Sequence, residues 1–208
     1  MTSFLTLACA TLICAQDLSL ATILLDDQPW TARRDLPMKG PARQVKGPDG
    51  STYAIVGEGA KRSLEHRPAQ GAPVSISVVG LVTPSCLALS PDRGTLAVGD
   101  AGGKHIWFFR VNANGTLDGA DRCATLRLRP AVLASNVVDV AYDSGGRIFA
   151  ALPGEIHAFD PIARACGVIA SPSAAPIDSF QTNGELLMVR QGSSVMVRMI
   201  QPYPKPKS

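Results

Sequence analysis

The stretch TPSCLALSPDRGTLAVGDAGGKHIWFFR, residues 83–110, sets two short apolar runs on either side of the polar turn SPDRG and adds a third beyond DAGGK. Runs of this length, punctuated by Gly, Asp and Pro, read as β-strands joined by tight turns, because glycine reaches positive φ at little cost. Three other stretches follow the same grammar: GPDGSTYAIVGEGAKRSLEH from Gly47, DSGGRIFAALPGEIHAFDP from Asp143 and QTNGELLMVRQGSSVMVRMI from Gln181. Each has a polar turn with glycine (Gly50, Gly94, Gly146, Gly184), an apolar strand, a second glycine turn and another strand. A further candidate strand precedes each turn, at 41–46, 86–90, 137–143 and 177–182.

The turn glycines recur at steps of 44, 52 and 38 residues, which brackets the blade period of about 40–50 residues in β-propellers. No long segment of 3.6-residue periodicity competes. The expected fold is therefore all-β and propeller-like, with about four recognisable blades of antiparallel strands around a central axis over residues 41–200. A single sheet of this kind cannot bury both faces, so the blades must stack around an axis or against a partner. An N-terminal leader, 17–40, contains the strand candidate Leu18 to Leu25, placed to add an outer strand to the last blade and close the ring. An unclosed ring would instead self-associate through its edge. The tail QPYPKPKS, 201–208, reads as an extended, mobile end, since its prolines cannot donate to a ladder.

With 208 residues, 46% of them hydrophobic, the chain can bury one sizeable core. Its net charge of +3 comes from 20 basic and 17 acidic residues spread along the chain, without the basic stripe that a nucleic-acid partner requires. Residues 1–16, MTSFLTLACATLICAQ, form an uncharged apolar run ending in small residues and read as a signal peptide, which implies a secreted or periplasmic protein. The run is too short to span a bilayer, and no membrane span is expected elsewhere. Three cysteines, Cys86, Cys123 and Cys166, lie beyond the leader at spacings that match no zinc or redox motif. They read as small buried hydrophobes with at most one disulfide, for which Cys123 with Cys166 is the first pair to test.

Few motifs carry chemistry. GDAGGKH, 99–105, lacks the spacing and the following helix of a phosphate loop, and GEGAK, 57–61, fails in the same way; both read as hairpin turns. His66, His105 and His157 fall in equivalent third-strand regions of successive repeats, which suggests strand positions rather than a convergent metal cluster. No GxSxG elbow or catalytic triad is implied. The sequon Asn114-Gly115-Thr116 reads first as a turn. Asp100, at the end of a strand, reads as a cap for the DAGG turn before it reads as a pocket residue.

The string PSCLALSPDRGTLAVGDAGGKHIWFFRVNANGTLDG, 84–119, resembles a blade of the gluconolactonase and senescence-marker-protein (regucalcin) family, with its P-N-G-L-A-x-S-P-D-G, I-W-x-F and D-x-x-G-x-L elements. VVDVAYDSGGRIFAALPGEIHAFDP, 137–161, is similar to the family's P-D-G-x-x-x-D-x-x-G-x-L-W-V-A blade. LATILLDDQPW and LPMKGPARQVKGPDGSTYAIV resemble the first blade, with E-G-P ahead of the turn. The resemblance implies a six-bladed propeller with one axial divalent cation that polarises a lactone carbonyl and activates water. The family's three ligand positions read here as Lys39, Ser85 and Val138, with Asp139, or at a larger slip Asn136, as a substitute for the third. A lysine at the first position opposes a cation. The segment between Arg67 and Leu81 is also too short for the two blades that the family has there, which carry substrate contacts.

Two functions are weighed. The first is an exported, non-catalytic propeller that binds a small molecule or protein at the axis mouth, with no cofactor. The second is a lactone or ester hydrolase of the gluconolactonase type, using calcium or zinc and a rearranged site around Ser85, with Asp100 and Asp139 as catalytic candidates.

Overall fold

The computed structural model describes residues 20–25 and 28–203; the predicted signal peptide, 1–16, and the last five residues lie outside it. Among the described residues sixteen strands are found, named here in chain order. β1 is Thr31–Ala32. The first blade comprises β2 (Gln44–Lys46), β3 (Thr52–Val56), β4 (Ser63–Arg67) and β5 (Val74–Ile76); the second β6 (Pro84–Leu89), β7 (Thr95–Asp100), β8 (His105–Val111) and β9 (Leu117–Thr125). The third holds β10 (Asp139–Tyr142), β11 (Ile148–Leu152), β12 (Glu155–Phe159) and β13 (Ala165–Ala170), and the last β14 (Ser179–Thr182), β15 (Leu186–Gln191) and β16 (Ser194–Met199). Each sheet is antiparallel, with β1 added outside β16, so four four-stranded sheets form a ring and the all-β propeller expectation holds. No helix among the described residues is long and apolar enough to cross a membrane.

Local sequence explains the hairpins. Gly50 and Gly146 occupy their turns at φ +86, where a β-carbon would be strained. SPDRG differs: the left-handed residue is Arg93, at φ 61, not Gly94. Its guanidinium donates to the Gly47 carbonyl at 2.6 Å and the Lys46 carbonyl at 3.1 Å, so the uncommon backbone conformation is offset by a tie to the first blade. Asp92 completes the turn, accepting from Ser90 Oγ at 2.5 Å and from the Gly94 amide at 3.0 Å.

The second strands are apolar without alternation, as in IFAAL of β11, where all five residues are buried. This follows from blade stacking, which covers both faces. Tyr53, Leu87, Leu96 and Trp107 form a core between blades one and two; Ala97, Ile106, Ile148 and Phe159 one between two and three; Phe149, Ile156, Phe180 and Leu187 one between three and four. Among the described residues no comparable apolar core joins blade four to blade one. That seam is closed by β1 on β16, with Thr31 opposite Val197. Gln181 Nε2 also donates to the Lys39 carbonyl at 3.0 Å, and Arg190 Nη1 to the Met38 carbonyl at 3.5 Å.

Three expectations are corrected. The described part of 18–25 is not a strand: Leu20 and Ala21 are helical, and Leu24 makes one bridge, to Ile200. Ile23 is instead buried in the core of blades three and four. Second, Cys86, Cys123 and Cys166 are all unpaired. Cys123 is exposed on β9 of blade two whereas Cys166 is buried on β13 of blade three, so different blades separate them. Third, the start of the tail is anchored: the Gln201 carbonyl accepts from Arg147 Nη2 at 2.7 Å and its amide donates to the Ile23 carbonyl at 2.8 Å.

Packing between blades two and three is tight at Gly99. A β-carbon there would lie 2.4 Å from Cys86 Sγ and 3.0 Å from Val137 Cγ1. Gly99→Ala is expected to lower stability by about 1–3 kcal/mol by overpacking. Urea denaturation measures it, and an unchanged midpoint would show that the interface has slack.

Candidate functional site

In each blade the first strand, β2, β6, β10 or β14, lies at the inner end of its sheet. Between them is a cavity of about 480 Å3. Val45, Leu87, Val140, Phe180 and Met188 supply apolar wall, and Lys39, Gln44, Asp139, Tyr142, Gln181 and Thr182 supply polar groups. All four blades contribute to its lining, with Gln44 from blade one, Leu87 from blade two, Asp139 and Tyr142 from blade three and Phe180 and Gln181 from blade four.

Asp139 begins β10, opposite Ala151. It is 3% exposed. Oδ2 accepts from the Phe180 amide of blade four at 3.1 Å and Oδ1 from the Val140 amide at 3.0 Å. Burial pushes its carboxyl up to about 6, while the amides of Phe180, Val140 and Ala42 and the Arg190 guanidinium favour the charged form. The carboxylate therefore serves as an inter-blade tie at the axis.

The other candidate residues are distributed differently. Lys39 is exposed at the cavity, and its ammonium has no hydrogen-bond or ion-pair partner among the described residues. Ser85 is buried, and its hydroxyl donates to the Val137 carbonyl at 2.8 Å, binding blade two to the approach to blade three. The Val138 amide donates to the Ala151 carbonyl at 2.8 Å. Asp100 is 1% exposed and accepts from the amides of Thr83 at 2.7 Å, Val82 at 3.1 Å and Gly102 at 3.2 Å, with Trp107 Nε1 at 3.4 Å. Its capping role thus extends to the loop before β6. Lys39 and Asp139 share the axial cavity; Ser85, Val138 and Asp100 are not among its lining residues.

The remaining motifs resolve as structure. A β-carbon on Gly103 would sit 2.4 Å from Asp100 Oδ2, so a carboxylate already occupies the concavity of the GDAGGKH turn. His66 stacks on Tyr53 with centroids 5.4 Å apart, and His157 Nε2 lies 2.9 Å from Glu155 Oε1. Among the described residues no group of three or more His, Cys, Asp or Glu is placed to hold a metal ion. Asn114 Oδ1 accepts from the Thr116 hydroxyl at 2.7 Å and amide at 3.1 Å within the β8–β9 turn.

Sequence reasoning missed Gln44, Tyr142, Gln181, Thr182 and Met188. Four of them lie on the inner strands β2, β10 and β14 and Met188 on the neighbouring β15, and their role emerges only once those strands are known to face the axis. Burial raises the Tyr142 hydroxyl above its ordinary range, with Asp92 adding to the effect.

The four sheets form a four-bladed β-propeller whose fold is similar to that of gluconolactonase and regucalcin structures. A gluconolactonase from Xanthomonas campestris superposes with a TM-score of 0.58 at 19% identity, over 79% of this chain and 60% of that one. A calcium-binding regucalcin from Agrobacterium tumefaciens gives 0.54 at 15%, over 78% and 62%. A luciferin-regenerating enzyme gives 0.57 at 15%, over 79% and 62%. The matches thus span about three fifths of these proteins. No family model matches the sequence, and no curated protein matches it.

Proposed function

We propose that this chain is an exported, non-catalytic binding module whose ligand is a small molecule held in the axial cavity. The observation that carries this reading is the combination of about 480 Å3 of space with apolar walls and a few convergent polar groups. A ligand there would touch all four blades, including both sides of the thin seam between blades four and one. The donor chemistry at the three family ligand positions supports binding over hydrolysis. Lys39 carries a cation, the Ser85 hydroxyl is directed to a backbone carbonyl, and Val138 has no donor side-chain atom. These groups do not fit calcium or zinc. Export rests on residues 1–16.

A second reading, a metal-dependent lactone or ester hydrolase, is favoured by the likeness to a gluconolactonase and by Asp139, whose carboxyl lies near 6 at the cavity. Both oxygens of that carboxylate accept backbone amides, however, and a hydrolytic role would require it to release them. Metal analysis of protein purified without chelator, combined with pH-stat assay of glucono-1,5-lactone, separates the readings. The expected result is no stoichiometric metal and no turnover. Metal and turnover appearing together would replace the binding reading with the hydrolase. Protein binding at the mouth and self-association are further outcomes that sedimentation would reveal.

A further inference from the structure

A second polar cleft lies away from the axial cavity, on the outer half of blade one. Arg62 follows the 3-10 turn Gly59–Lys61 and leads into β4. Its Nε is buried without a hydrogen-bond partner, and its guanidinium makes no ion pair among the described residues. A buried, unsatisfied charged donor is costly, and an absent ion is one explanation for such a group. Arg62 borders a cleft of about 170 Å3 together with Ser63, Ser75 and Ser77, walled by Leu81 and Pro84.

The strand register brings these serines together. Leu64 pairs with Ile76 and Glu65 with Ser75, so the next step along the ladder sets Ser63 beside Ser77. By period-two alternation, Ser63, Ser75 and Ser77 share a face. None of their hydroxyls has a partner among the described residues. Glu65 lies on the same face, but Arg67 Nε binds its Oε2 at 2.7 Å and offsets its charge. A guanidinium with hydroxyl donors around a small cleft is the donor set that recognises an oxyanion. The volume is below that of drug-sized ligand pockets and suits a single group.

We infer that the Arg62, Ser63, Ser75 and Ser77 cleft binds a tetrahedral oxyanion, either free phosphate or sulfate or the phosphate or sulfate group of a small ester. The guanidinium supplies charge and the hydroxyls supply further donors. This site is independent of the axial cavity, and its test does not depend on what that cavity binds.

The test is titration calorimetry of the full chain in phosphate-free buffer with inorganic phosphate, inorganic sulfate and glycerol 3-phosphate. Saturable binding at a single site is expected for at least one of them, with affinity lowered about tenfold or more in Arg62→Gln. The double variant Ser75→Ala with Ser77→Ala, at two exposed positions, should weaken binding severalfold without moving the melting temperature in phosphate-free buffer. Preference for glycerol 3-phosphate over the inorganic ions identifies an ester group, and the reverse identifies the free ion; both support the site. Absence of saturable binding for all three ligands overturns it, as does wild-type affinity in Arg62→Gln. Should Arg62→Gln fail to fold, undiminished binding by the serine variant overturns it instead.

Discussion

Arg147→Ala is expected to lower the unfolding free energy by about 3–5 kcal/mol, the scale for stripping the partner from a buried charge. Arg147 Nε lies 2.5 Å from Asp143 Oδ2, and the two side chains are 3% and 0% exposed. Asp143 also holds the turn, its Oδ1 accepting from the amides of Gly145 and Arg147 at 2.9 Å each. The guanidinium lies over the rings of Phe149 and Tyr203, at 5.9 and 5.6 Å from their centroids. Its bond to the Gln201 carbonyl secures the chain next to Ile200, which is buried in the core of blades three and four. Alanine would leave a buried carboxylate uncompensated and loosen this anchor together. Arg147→Lys keeps charge but loses the fork, so an intermediate loss is expected. Urea denaturation provides the measurement. A loss below about 1 kcal/mol, the scale of an exposed ion pair, would show that Asp143 finds another partner or water.

The second large effect is a pH dependence at the axis. Burial raises the Asp139 carboxyl from 3.8 to about 6 in the folded chain. The folded state therefore retains a proton that the unfolded state releases between about pH 4 and pH 6, and stability from this group falls as pH rises through that window. Below the window both states are protonated. Above it both are ionised and the penalty, roughly 3 kcal/mol, is complete. Other carboxyls oppose this slope: Asp92 is held below its usual range by Ser90, and Asp49 by Ser51. The comparison is therefore wild type against Asp139→Asn, which cannot titrate at this position. The difference in unfolding free energy between them should drift against wild type as pH rises from about 4 to about 7. A flat difference would mean that the amide donors outweigh the cost of burial and keep the carboxylate ionised throughout.

Much of the ring was legible because its inner and middle strands are apolar and their turns require special backbone conformations. The outer strands were less legible for the opposite reason. β9, LDGADRCAT, has exposed residues at seven of its nine positions, so no apolar alternation marks it. The closing strand was misplaced on the same logic. Leu18 to Leu25 has the more strand-like composition, but closure falls to Thr31–Ala32, which meet the free edge of β16 opposite Val197 and Met196. Hydrophobicity sent Ile23 into the core and left pairing to the exposed Thr31 and Ala32, which reached the edge.

At the site, sequence resemblance drew attention to Lys39, Ser85 and the pair Val138 and Asp139, but could not tell which of them share one space. By itself, the sequence determined the repeat, the all-β class and the four blades, because turn chemistry and local apolar runs are properties of short segments. Only the tertiary structure decided that Asp139 rather than Val138 lines the axis, since facing depends on the register of β10 opposite β11. It likewise decided that residues from all four blades meet around one cavity. That outcome depends on how four stacked sheets meet around the ring, where three interfaces are filled by apolar side chains and the fourth is joined by a short strand and hydrogen bonds.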